Sequence, residues 1–194
     1  MTKNKIGVAV EGPSDLRFWR KFLHRSFRGW LFDVHNMKNR SKLIRDTTRL
    51  LDMFRGLGYS AGVIILDRDR NPCVSDLLEE FDDRVRTEFG KPLDQRYLHL
   101  CVAVKELESW FLADRQAVVS VLPDVSYDVP ADTSIWGAGR LHGLWRQQYG
   151  KNSAFNKISF AETIARRFSA DRAMHHSASL RISWDHINNA LESE

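Results

Sequence analysis

The sequence predicts an α/β fold: a mostly parallel central sheet of about four strands with helices on both faces, followed by a C-terminal helical extension. Three observations carry this. Residues 6–10, 61–66 and 97–104 form apolar runs without regular polar alternation, the pattern of strands covered on both sides. Each run ends in a polar or glycine-containing turn and leads into apolar residues at helical spacing, as in β-α units wound into a parallel sheet. Beyond residue 121 such runs stop, and the remainder reads as helical with glycine interruptions.

The first strand, 6–10, breaks at Glu11-Gly12-Pro13. Ser14 is the expected N-cap of a helix with Asp15 in its first turn and Leu16, Trp19, Phe22 and Leu23 on its apolar side. A short strand at 30–34 follows. Residues 40–54 then place Leu43, Ile44, Thr47, Leu50, Leu51 and Phe54 on one stripe, stopped by the glycines at 56 and 58. The strand at 61–66 is broken by Asp67-Arg68-Asp69-Arg70-Asn71-Pro72, and a helix over 74–89 buries Leu77, Leu78, Phe81 and Val85. The strand at 97–104 runs into a segment that is helical from Glu106 onward. Residues 122–132 mark a loop, and interruptions are expected at Gly137, Gly139, Gly143 and Gly150. The expected division is an α/β domain at 1–121 and a mainly helical extension at 122–194 packed on it.

The bulk composition fits one compact fold. Of 194 residues, 43% are hydrophobic and 28% charged, which excludes disordered and fibrous classes. Lys and Arg total 29 against 25 Asp and Glu, a net charge of +4 that suits a polyanionic partner. Cys73 and Cys101 stand alone, as free thiols in a reducing compartment do, and no zinc spacing is present. The polar start leads into too short an apolar run for a secretory leader, and no stretch is long enough to span a bilayer. A cytoplasmic protein without membrane attachment is expected; oligomeric state is not legible.

The chemistry-bearing residues lie at strand ends. In an open parallel sheet, ligands bind beyond the carboxyl ends of the strands, where the following helices aim their N-termini. Glu11 ends one strand and Asp67 another, Asp69 follows two residues later, and Glu106 and Glu108 follow the last strand. Acidic residues are common at turns and helix starts, where they cap. Here three acidic positions after three apolar strands form a conjunction. Such a cluster repels itself unless cations neutralise it, and an oxygen-only set favours Mg2+ or Mn2+. A divalent ion there can hold a phosphodiester and activate water.

Val10-Glu11-Gly12-Pro13-Ser14-Asp15 resembles the Glu-Gly-x-[Ser/Thr]-[Asp/Glu] motif that opens Toprim domains, and Leu66-Asp67-Arg68-Asp69 resembles their Asp-x-Asp motif. Glu106-Leu107-Glu108-Ser109-Trp110-Phe111-Leu112-Ala113-Asp114 is similar to a segment of a stand-alone Toprim-like family catalogued as a domain of unknown function. Tyr149-Gly150-Lys151 and the stretch 177–182 are similar to that family's C-terminal part. The resemblance spans nearly the whole chain through short motifs. It implies a Toprim-like fold related to the nucleases of the overcoming-lysogenization-defect class. It also implies divalent metal on Glu11, Asp67 and Asp69, with Glu106 and Glu108 as further ligands, cleavage of DNA or RNA, and a role in defence against phage or mobile DNA. Two positions depart from the family pattern: Ser177-Ala178-Ser179-Leu180-Arg181 stands where Ser-x-Ser-Phe-Arg is usual, and Pro13 follows Glu11-Gly12. The chain is too short for the extra machinery of primases and topoisomerases, so cleavage without religation is expected.

Lys105, before the acidic pair, and Lys151, after Tyr149, are candidates to contact the scissile phosphate. Arg68 and Arg70 flank Asp69 and are second-rank candidates. Trp19 and Trp110 read as core; Trp30, Trp136, Trp145 and Trp184 complete the aromatic supply. His175-His176 lacks a spaced third zinc ligand. Arg166, Arg167, Arg172 and Arg181 make the C-terminal region basic, as a nucleic-acid clamp or a solvated face. Two alternatives stand beside the nuclease: a non-catalytic Toprim-like module binding nucleic acid or protein, and an effector working with an ATPase in trans, since no Walker motif is present.

Overall fold

A computed structural model describes residues 4–69, 73–90, 97–130 and 136–192. Arg70, Asn71 and Pro72 of the expected turn, and residues 131–132 of the expected loop, lie outside them.

Four strands, β1 (Lys5–Val10), β2 (Leu31–Asn36), β3 (Ala61–Asp67) and β4 (Leu98–Ala103), form one sheet in the order β2-β1-β3-β4. Every neighbouring pair is parallel, with Val10 opposite both Asn36 and Ile65, and Asp67 opposite Ala103. Parallel neighbours need crossovers, and these are right-handed almost without exception. The chain steps one way from β1 to β2, then the other way from β2 past β1 to β3 and on to β4. The first crossover, α1 (Pro13–Ser26), therefore lies on one face. The later ones, α2 (Arg40–Arg45), α3 (Thr47–Gly56) and α4 (Val74–Phe89), lie on the other.

The two cores match this division. Ala9, Ile64 and Leu66 pack with Leu43, Phe54 and Phe81 on the α2–α4 face. Ile6, Val8, Val10 and Ile65 pack with Phe18, Trp19 and Phe22 on the α1 face. A single crossover helix cannot cover four strands. The remaining helices do so: α5 (Leu107–Ala113), α6 (Arg115–Val121), α7 (Gly137–Tyr149), α8 (Lys157–Ile164), α9 (Ala170–Met174) and α10 (Ala178–Glu192). Helix α10 packs on β4 and β3, and Leu180 and Ile187 join the same core as Cys101 and Ala103. Trp19 and Trp110 are fully buried, with rings 5.9 Å apart and edge to face.

Local details differ from the sequence expectations for identifiable reasons. Gly12, not Ser14, is the N-cap of α1; Pro13 takes the first helical position, where its missing N–H costs nothing, and Asp15 Oδ2 accepts the Gly12 N–H at 2.9 Å. The stripe at 40–54 is buried as expected but belongs to two helices, divided at Asp46, whose φ of −96° and ψ of 8° leave the helical region. Leu78 is 38% exposed rather than core. Gly139 and Gly143 lie inside the continuous α7, and only Gly150, at φ +94°, ends it. Gly7 has a packing reason: a Cβ there would meet the Phe54 ring at 2.5 Å, so glycine lets α3 seat that ring directly on β1. No helix among the described residues is long and apolar enough to cross a membrane. Cys73 is an exposed free thiol and Cys101 a buried one.

Candidate functional site

The chain reverses its winding direction between β1 and β3. Crossovers leaving two such neighbouring strands diverge to opposite faces and open a crevice at their carboxyl ends. Glu11 stands immediately after β1, and Asp67 is the last residue of β3. Glu11 Oε1 accepts the Asp67 N–H at 2.9 Å, and Asp67 Oδ1 accepts the Leu107 N–H, in the first turn of α5, at 2.8 Å. Two carboxylates thus join the ends of β1 and β3 and the start of α5.

Pairing of β3 with its neighbour continues past the strand end. The Arg68 N–H bonds to Ala103 O and the Asp69 N–H to Lys105 O, both at 2.8 Å. This link joins two residues in the left-handed region, Asp69 at φ +52° and Lys105 at φ +73°. Neither is glycine, and such strained positions cluster at functional sites. Arg40, at the start of α2, sends Nη1 to Arg68 O at 3.3 Å and stands within electrostatic reach of Glu11.

The pair after β4 divides its roles. Glu106 Oε2 accepts the Ala138 N–H at 2.8 Å and so holds the start of α7. Glu108 is buried, at 1% exposure, and its Oε1 lies 3.1 Å from Lys157 Nζ at the start of α8. Its Oε2 has no hydrogen-bond partner among the described residues. Gly137 packs directly on this turn: a Cβ there would fall 2.3 Å from the Ser109 nitrogen.

Burial, with mutual repulsion adding to it, raises the proton affinity of Asp67, Glu11, Glu108 and Asp15. Burial pushes Asp67 well above the usual carboxylate range, with Asp15, Glu11 and Glu108 adding to it and Lys157 opposing. Glu11 is raised to about 7, chiefly by burial against the opposing Asp67 N–H, with Asp69 and Asp15 adding to the rise. Glu108 is likewise raised to about 7 by burial, with Lys157 opposing and Asp15 adding. Asp15 is raised by burial against the pull of Lys157. For Lys157, burial disfavours the charge, but Glu108, Asp15 and Asp67 together hold its pKa above the usual lysine value.

Of the residues singled out from sequence, Glu11, Asp67, Asp69 and Glu108 converge on this crevice. Glu106 is turned to α7. Lys105 Nζ lies 5.0 Å from the Trp136 ring centroid. Lys151 is exposed in the turn after α7 and makes no ion pair with a described residue. The lysine that reaches the carboxylates is Lys157, which carries no local sequence signal. Asp15 was legible as a first-turn acid and as the last position of the Glu-Gly-x-[Ser/Thr]-[Asp/Glu] resemblance, and Arg40 only as the start of a helix. His175 and His176 are exposed, and among the described residues no three His, Cys, Asp or Glu side chains stand together as a ready metal-ligand group.

The donor chemistry nevertheless fits a hard divalent cation. The set offers carboxylate oxygens only, in a pocket that disfavours their negative charge, with one buried oxygen of Glu108 unpartnered. Comparison with family models, curated proteins and solved structures gave no match.

Proposed function

We propose that the chain is a divalent-metal-dependent nuclease of the Toprim type, cleaving phosphodiesters of DNA or RNA. The observation that supports it best is the convergence of Glu11, Asp67 and Glu108 at the winding reversal, each with its charge disfavoured by burial. Glu11, Asp67 and Asp69 would hold Mg2+ or Mn2+, with Glu108 completing the set and Glu106 left to α7. When bound there, the ion supplies charge for the phosphoryl oxygens and an activated water. The chain's own residues do the rest. Arg40, within electrostatic reach of Glu11, has donors to spare for a phosphate, since its contact to Glu80 is long at 3.9 Å. Lys157 balances part of the carboxylate charge from the opposite side. Within the same proposal, the chain serves as an effector against phage or mobile DNA, with an ATPase partner in trans.

Purified protein with Mg2+ or Mn2+ is expected to degrade DNA or RNA. Glu11→Gln and Asp67→Asn should each lower the rate about a hundredfold or more. Undiminished cleavage by both variants would sink this reading. One observation favours the non-catalytic alternative: Glu11 and Asp67 each spend an oxygen on a backbone N–H, a structural use. A calorimetric titration with no heat from either ion would support it.

A further inference from the structure

Trp136 is the N-cap residue of α7 and is 40% exposed, although the backbone around it is held firmly. Gly137 lies against the Glu108-Ser109 backbone with no room for a methyl group. Ala138 donates to Glu106 at 2.8 Å. The backbone that carries the indole is therefore held beside the 106–109 turn, and the residue itself is 40% exposed to water. Over the indole ring, Lys105 holds its ammonium 5.0 Å from the centroid. Lys105 makes no ion pair with a described residue; its ammonium contacts the indole. Its backbone is held in the strained left-handed conformation by the bond from Asp69 to its carbonyl. A partly exposed indole with an ammonium over its ring offers the two contacts that an unpaired nucleotide needs: an aromatic surface for the base and a positive charge for the phosphate.

We infer that Trp136 and Lys105 form a nucleotide-binding platform at the rim of the crevice, and that the nucleic acid bound there is single-stranded. Bases inside a duplex are stacked on their neighbours and present no free face to the indole. This deepens the nuclease reading by naming its substrate class, and rests on it for the nature of the ligand alone; it does not require cleavage.

The test is binding without divalent ions, followed by fluorescence anisotropy with labelled single strands of deoxythymidylate and uridylate and with a blunt duplex. Wild-type protein is expected to prefer one of the single strands to the duplex. Trp136→Ala should weaken that strand's binding about tenfold, Trp136→Phe should restore most of it, and duplex binding should stay within about twofold. Lys105→Ala should weaken both and reduce the salt dependence by about one ion. Equal single-strand binding by Trp136→Ala and wild type, an equal loss on duplex, or no binding by wild type would each overturn the inference. Trp136-dependent binding without cleavage in Mg2+ or Mn2+ would retain the platform and remove the nuclease, so the two failures are distinct.

Discussion

A carboxylate at 1% exposure, as Glu108 is, needs a proton, a metal ion or an ion pair, and Lys157 provides the last at 3.1 Å. Replacing Lys157 by Met leaves Glu108 to take up a proton or remain charged and uncompensated. The expected loss is about 2 kcal/mol by urea denaturation at neutral pH, less than for a fully buried pair because the lysine is partly solvated. The titration of these groups has a definite sign. Glu108 is raised from 4.5 to about 7, so the folded state holds its proton more tightly than the unfolded chain does. That contribution is fully present below the ordinary carboxylate pKa and disappears as pH rises through about 7, on the order of 3 kcal/mol for this group. Metal-free protein should therefore melt at falling temperature as pH rises from about 4.5 to about 7, and saturating Mg2+ should flatten the slope by replacing the protons. Glu11, Asp67 and Asp69 were legible in the sequence because each follows an apolar strand closely, and strand ends share an edge. Lys157 was not, because only the packing of the C-terminal helices brings it to β3 and α5.

At the scale of elements, the start of α7 shows how closely packing governs the site. Alanine at Gly137 would place a methyl carbon 2.3 Å from the Ser109 nitrogen, so Gly137→Ala is expected to cost about 1–3 kcal/mol and to loosen the Glu106–Ala138 bond. Gly139→Ala, in the same helix with nothing within 4 Å, should instead stabilise by up to about 1 kcal/mol. Parallel urea titrations of the two variants check both signs. The sequence marked these glycines as interruptions because each lowers helix propensity, and the structure overrides that tendency by burying Leu141 and Leu144. The strands and the helix over 74–89 were read closely, since long apolar runs and helical periodicity are local signals. The division of 40–54 into two helices was not, because the buried stripe crosses the break at Asp46 without changing phase.

Across the whole molecule, the C-terminal segment is what completes both the core and the site. The winding order places α1 alone on one face, and α10 covers the strands it leaves bare. Among the polar links that join that segment to α5 and its C-cap, Trp110 Nε1 donates to Ser179 Oγ at 2.8 Å, and Arg172 grips the buried Asp114 through both carboxylate oxygens at 2.8 and 2.7 Å. The serine of the Ser177-Ala178-Ser179 stretch thus receives the indole of the acidic segment, which ties the two motifs physically. Lys157 arrives through the same packing, so the crevice is built from both parts of the chain. The all-parallel sheet was expected as mostly parallel, but its strand order depends on which faces the crossovers cover, and no local pattern specifies that. Whether the carboxylates at the winding reversal form a divalent-cation site is read from a crystal soaked with Mn2+. An anomalous peak bound by Glu11 and Asp67 is expected, with Asp69 or Glu108 as a further ligand. A crevice without a peak, with Glu11 still bonded to the Asp67 N–H and Asp67 to the Leu107 N–H, would contradict it.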